Sequence, residues 1–253
     1  MQIKNIILML FVFLSTTISA QFTFSDDFES YTAGDYIGEE SDVWTTWSGA
    51  TGGTEDVQVT ADNANSGTNS TFYSSTAANG GPQDVVLPFG GQVFSSGDFT
   101  FSASFFVNPN AGAYFNLQAE VEIGQTWAVD CNMNEDGTIV LSTGGGGTVF
   151  LSSTYPAGEW FDLTIDVDLT INNWSLIING ENLGSFINTE NEIASLDIFP
   201  LTGHQFYVDD IVVEHVPALL SSLDIPSYVQ SPIDVEIAGT IFNYGNEPIN
   251  SFD

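Results

Sequence analysis

Basic residues are all but missing from this chain. Lysine and arginine together number 1 in 253 residues, against 33 aspartates and glutamates, for a formal net charge of -32. Phosphate recognition runs on lysine and arginine, so nucleic acid is excluded as a partner, and an anionic membrane surface with it. Ion pairs to those side chains are excluded as well, because His204 and His215 are the only other basic side chains and are mostly neutral near pH 7. Cysteine is equally scarce. The single Cys131 forbids an internal disulfide and, in its apolar setting, reads as a small buried hydrophobe, so stability has to come from a core. Two histidines and one cysteine also make no zinc-ligand cluster and no catalytic triad. Helical periodicity is absent beyond the N-terminus.

The one lysine, Lys4, precedes an apolar run from Ile6 to Leu14 and the small-residue pattern Ile18-Ser19-Ala20. That order predicts a secretory signal over residues 1–20, with an apolar stretch too short to span a bilayer. The expected location is therefore extracellular or on the outer cell surface. Cleavage after Ala20 removes Lys4 and no acid, leaving 33 carboxylates without lysine or arginine.

What the chain has in quantity is β-strand pattern, with 24 glycines and 20 phenylalanines among many threonines, serines and valines. The clearest stretch runs from Glu159 to Gly180. Phe161, Leu163, Ile165, Val167 and Leu169 alternate with Asp162, Thr164, Asp166 and Asp168, the period of a half-buried strand. Asn172-Asn173 turns the chain, Trp174, Leu176 and Ile178 return it, and Asn179-Gly180 is a hairpin turn signal. Trp160 and Trp174 read as core residues of this hairpin. Phe99 to Val107 alternates in the same way, with Phe106 as the exception. Further runs at Asp84 to Phe89, Tyr114 to Ile123, Thr126 to Met133, Thr138 to Ser142, Thr148 to Ser152, Ile193 to Phe199 and Phe206 to Glu214 bring the count to about a dozen short strands. The Gly144 to Gly147 run reads as a hairpin tip, since a phosphate cradle needs a following helix and a lysine. Residues 51–82 are rich in Gly, Ser, Thr and Asn, with strand-like pieces at Val57 to Thr60 and Phe72 to Ser74, and read as a loop-rich sheet edge. The whole predicts an all-β sandwich over residues 21–216. Residues 217–222 read as a linker. Residues 223–253 look like an incomplete immunoglobulin-like segment, stopping in mid-pattern at Ser251-Phe252-Asp253.

Several segments carry a family likeness. Asp26-Asp27-Phe28-Glu29-Ser30-Tyr31 with Gly34-Asp35, the Trp174 to Gly180 arm and Tyr207-Val208-Asp209-Asp210-Ile211 resemble concanavalin-A-like jelly-roll modules. More narrowly, they resemble the N-terminal module of bacterial proteins exported by the type IX secretion system. Gly80 to Phe89 and Gly112 to Phe115 agree with that likeness, which spans Phe22 to about Val216. The resemblance implies a non-catalytic accessory module of a larger surface or secreted protein. Related jelly rolls include glycoside hydrolases, but the E-x-D-x-x-E strand of one branch is not here: Glu40-Ser41-Asp42 is followed by Val43-Trp44-Thr45 and lacks the third acid.

Two candidate sites follow. Trp44 and Trp47, in a loop, and Tyr114 and Trp127, on successive strands, are the aromatics best able to stack on a sugar ring. In jelly rolls the first and last strands commonly pair, which would bring Asp27 and Glu29 near Asp209 and Asp210. Four carboxylates with no basic neighbour form an oxygen set for calcium. The expected function is thus that of an exported, non-catalytic jelly-roll module with a carbohydrate-binding or adhesive role, whose partner is a polysaccharide or surface glycan. A structural surface spacer and a secreted glycoside hydrolase are the alternatives.

Overall fold

The computed structural model describes residues 21–218. The predicted signal at 1–20, most of the predicted linker and the immunoglobulin-like segment at 223–253 lie outside the described residues. The chain runs through β1 (Phe22–Asp26), a single helical turn α1 (Ile37–Glu40), β2 (Thr45–Thr46), β3 (Val59–Thr60), β4 (Ser70–Ser74), β5 (Val85–Pro88), β6 (Asp98–Val107) and β7 (Ala113–Gln118). It continues through β8 (Trp127–Met133), β9 (Thr138–Ser142), β10 (Val149–Thr154), β11 (Trp160–Asp168), β12 (Asn173–Ile178), β13 (Glu181–Phe186), β14 (Ser195–Ile198) and β15 (Gln205–Val216).

These strands form two antiparallel sheets packed face to face. The first has the order β13-β12-β11-β6-β15-β4-β3, with β1 also on β15; the second has the order β10-β9-β8-β7-β14-β5-β2. The central hairpin is β11 with β12, paired from Leu163 with Ile178 to Asp168 with Asn173. Asn179 and Gly180 both take positive φ, 50° and 78°, as a tight hairpin turn requires, and lead into β13, which the sequence pattern had not suggested. Alternation decides what faces inward. Phe99, Phe101, Phe105 and Val107 of β6 and Leu163 and Ile165 of β11 are fully buried, and Phe101 and Phe105 meet Phe115 of the second sheet at ring-centroid distances of 5.1 and 5.6 Å. Cys131 is buried in the same core, which pushes its thiol pKa up.

Sequence reasoning placed both tryptophans of the hairpin in the core. Trp174 is there, fully buried. Trp160 is not: it precedes the inward-facing Phe161, so the pleat turns it to the outer face, half-buried.

The first and last strands do pair, from Phe22 with His215 to Asp26 with Ile211. Along β15 the register slips between Asp209 and Val212, with Asp210 at φ 50°; residues before the slip pair with β4 and those after it with β1. The slip creates a gap that residues 65–69 fill with backbone amides. Asp209 accepts from the amides of Asn65 and Ser66 at 2.8 and 3.2 Å, while Asp210 accepts from Asn65 Nδ2 and Ser66 Oγ at 2.9 and 2.6 Å. Glu29 takes the amides of Thr68 and Asn69 at 2.8 and 2.6 Å. Main-chain amides thus stand where other proteins use lysine or arginine, and Asp56 repeats the device with the amides of Gly38, Gly52 and Val57. The amide of Asp210 also donates to Asp209, at 2.8 Å, so replacing Asp209 with alanine leaves three amides unpartnered and is expected to cost about 1–3 kcal/mol. Hydrogen exchange would show it as faster exchange confined to Asn65, Ser66 and Asp210, and unchanged exchange at Asn65 and Ser66 would refute the anchoring role.

Candidate glycan-contact site

The outer face of the second sheet gathers three of the four sequence-predicted aromatics. Trp47 follows β2, and its amide donates to Asp84 O at 2.9 Å, fixing it beside β5. Trp127 opens β8 on the same face. The two indoles stack with centroids 6.1 Å apart and planes at 26°, each half-buried. Tyr114 lies on β7 two residues from Asn116, also half-buried, and its hydroxyl donates to Asp130 Oδ1 at 2.9 Å. Trp44 does not join them. It is 3% exposed, packs edge-on against Phe24 and donates its indole N–H to Asp26 at 2.9 Å, so it is a core residue.

Two glycine loops close around the pair. Gly124 donates its amide to Gln118 Oε1 at 2.7 Å and lies against Trp47, where an added Cβ would come within 2.6 Å of the indole. Gly144 leaves the same kind of space for Trp127, and the amide of Gly146 donates to Asp130 Oδ2 at 3.2 Å. The predicted hairpin tip therefore acts as a cover over the sheet. The rim carries the exposed Ser48 and Glu120 and the half-buried Glu55, the kind of groups that bond sugar hydroxyls.

Beneath the rings runs a polar row that sequence reasoning missed. Asp197, Asn116, Asp130 and Ser142 are cross-strand neighbours on β14, β7, β8 and β9, each 1–3% exposed. Asn116 Nδ2 donates to Asp197 Oδ2 at 2.5 Å and to Tyr114 Oη at 3.2 Å. Asp197 is pushed well up by burial and then by Asp84, with which it shares a hydrogen bond; Asp84 is pushed up to about 6 by burial, with Glu55 adding to the rise. Burial disfavours the charged form of both, of the fully buried Asp197 more than of the half-buried Asp84. The signal in sequence was a polar residue at every second position of Tyr114 to Gln118, a pattern that ordinarily marks a solvated face.

The second predicted set, Asp27, Glu29, Asp209 and Asp210, flanks residues 65–69 without converging. Asp27 accepts only from the amide of Glu29, at 3.2 Å. Among the described residues no three of His, Cys, Asp and Glu come together as a group able to hold a metal ion.

No protein-family model matches the chain, and no curated protein resembles it in sequence. Solved structures do resemble it in fold. The globular domain of T. cruzi calreticulin aligns with a TM-score of 0.50 at 11% identity, over 75% of this chain and 87% of that one. The carbohydrate binding module CBM66 from Bacillus subtilis aligns with a TM-score of 0.42 at 9% identity, over 67% of this chain and 95% of that one. Caenorhabditis elegans galectin LEC-6 aligns with a TM-score of 0.39 at 16% identity, over 54% of this chain and 94% of that one. At such identities the likeness is one of fold, and the chain is a β-sandwich of two antiparallel sheets with a jelly-roll arrangement.

Proposed function

We propose that the chain is an exported, non-catalytic glycan-binding module whose contact surface is the Trp47–Trp127 platform on the second sheet. One observation carries this reading: two stacked, half-exposed indoles are held in place by two glycine loops and rimmed by hydroxyl and carboxylate groups. Amphipathic rings of that kind offer a flat apolar face to the C–H side of a sugar, while rim acceptors take its hydroxyls. A net charge of -32 restricts the ligand to a neutral or cationic glycan. The carbohydrate binding named for the CBM66 module belongs to that protein, and the proposal stands on the ring pair.

Catalysis is disfavoured by the carboxyl geometry. Glycosidases set two carboxyls about 5–9.5 Å apart across a cleft. Asp197, the carboxyl raised by burial and by the neighbouring Asp84, is only 3% exposed and so does not face a glycosidic bond across an open cleft.

A glycan array followed by titration calorimetry tests the reading. Trp47→Ala and Trp127→Ala are each expected to weaken binding at least tenfold with the fold retained. Failure of the wild-type protein to bind any glycan would favour the structural spacer. Release of reducing sugar from a bound polysaccharide would favour the hydrolase.

A further inference from the structure

The outer face of the first sheet carries a second set of rings, and Phe106, which broke the alternation of its strand, is at the middle of it. Trp160, Phe106, Tyr207 and Phe72 are cross-strand partners in one line over β11, β6, β15 and β4. Successive ring centroids are 5.8, 6.1 and 4.6 Å apart. Their neighbours in sequence, Phe105, Phe161 and Phe206, are buried in the core, whereas all four of these rings are only half-buried. The line is therefore a solvent-facing apolar strip rather than an extension of the core. Trp160 is held in place by its indole N–H, which donates to Asn63 Oδ1 at 3.0 Å. At the other end Phe72 forms part of the wall of a cleft of about 400 Å³, together with Tyr36, Gln58, Thr60, Pro82 and Gln83.

A contiguous apolar strip with a polar border marks an interaction surface. Its shape and charge narrow the occupant. The strip runs across the strands, so it offers a ring every 4.6–6.1 Å, an interval comparable to one sugar of an extended chain. The sheet around it bears Asp62, Asp162 and Asp210 and no basic group, so a polyanion is repelled. We propose that Trp160, Phe106, Tyr207 and Phe72 form a second binding surface, for a neutral extended polysaccharide that lies across the strands and enters the cleft beside Phe72. This rests on the reading of the module as glycan-binding and adds to it a second, opposite face. Two faces on one module let it hold two stretches of polymer and raise avidity without any new contact.

The experiment uses the purified exported chain with hydroxyethylcellulose and barley β-glucan as neutral probes and carboxymethylcellulose as the charged one. Affinity is read by calorimetry and gel retardation. Phe106→Thr with Tyr207→Thr keeps strand-forming residues at both sites and is expected to lower affinity for the neutral polymers at least tenfold. A second readout does not depend on that variant folding. With Trp47 and Trp127 both replaced by alanine, Trp160 is the one half-buried indole left, because Trp44 and Trp174 are 3% and 0% exposed. Neutral polymer is expected to change indole emission in that protein and to leave it unchanged when Trp160→Phe is added. Full wild-type affinity in the Phe106/Tyr207 variant, or no emission change in the Trp47/Trp127 variant, overturns the second surface and leaves the first intact. Loss in the Phe106/Tyr207 variant with full affinity in the Trp47/Trp127 variant keeps the second surface and removes the first. Tighter binding of carboxymethylcellulose than of the neutral probes overturns the assignment of a neutral ligand, and no binding by the wild-type protein overturns both.

Discussion

Raising the pH from about 5 to about 8 at fixed ionic strength is expected to lower the melting temperature, against the usual preference of proteins for neutral pH. The cause is the set of buried carboxyls. Asp84 and Asp209 are each raised from 3.8 to about 6, and Asp197 is raised well above 3.8, by burial first in every case, with the charges of Glu55 on Asp84, Asp84 on Asp197 and Asp210 on Asp209 adding to the rise. A carboxyl whose folded pKa lies above its unfolded one adds stability in full below about pH 3.8, and that stability is lost as the pH climbs through 6. Each pH unit between the two values corresponds to about 1.4 kcal/mol. His204 works in the opposite direction: burial lowers it from 6.5 to about 4, so its contribution is present above 6.5 and lost on acidification. With the two histidines on one side and three carboxyls, joined by the raised Asp130, on the other, the net loss from about pH 5 to about pH 8 is about 2–3 kcal/mol. For a domain of this size that is about 5–10 °C.

The variant Asp197→Asn isolates the pair. Its amide keeps the bond from Asn116 and donates to Asp84, as the protonated acid does, without ever ionising. It is expected to match the wild-type protein at about pH 5 and to exceed it at about pH 8, with a flatter pH profile between. An unchanged slope in this variant would mean that the pair is not the titrating element, whatever the wild-type curve does.

Much of the architecture could be read from alternation, because strand period and core face are the same information. The hairpin over β11 and β12, the central β6 and the glycine tip between β9 and β10 follow from pleat and turn chemistry, while the meeting of first and last strands was an expectation of the jelly-roll resemblance. The site was legible only in part. Trp47, Tyr114 and Trp127 stood out as large amphipathic rings off the core pattern, and one outer face does gather them. Trp44 looked the same in sequence, yet its partner Asp26 is 18 residues away and draws it inward, a contact that no local pattern encodes. The buried row of Asp197, Asn116, Asp130 and Ser142 could not be seen for the same reason. Its members alternate as solvent-facing residues do, and only the loops that cover them, from residues 119–126 and 143–148, turn a wet face into a dry one. The calcium expectation assumed that carboxylates without basic residues must find a cation. Backbone amides of residues 65–69 are an alternative partner, and composition does not reveal them.

Sodium chloride is expected to raise the melting temperature by about 4–8 °C between about 0.01 M and about 1 M, where the screening length falls from about 30 Å to about 3 Å. The exposed acids are the reason. Asp162 and Asp166 lie along one face of β11, and Asp98 stands directly opposite Asp168 across the β6–β11 pair. Like charges in cross-strand register destabilise a sheet, and after burial the charges of Asp168 and Asp166 push the Asp98 pKa up. Two such carboxylates about 6.8 Å apart repel by roughly 0.6 kcal/mol in water. With 33 acids and no lysine or arginine after the predicted signal, such terms sum to several kcal/mol and have little attractive counterpart to cancel them. Calcium supplied at the same ionic strength separates screening from binding. Glu29, Asp209 and Asp210 already accept two hydrogen bonds or more each from residues 65–69, so calcium is expected to reproduce the sodium chloride curve. A further rise specific to calcium, lost in Asp210→Asn, would put a cation on the Asp27, Glu29, Asp209 and Asp210 set, since asparagine keeps the positive φ of that position and removes only the charge. A melting temperature indifferent to both salts would mean that the carboxylates are neutralised by protons, and the pH profile would then carry the whole of the electrostatic effect.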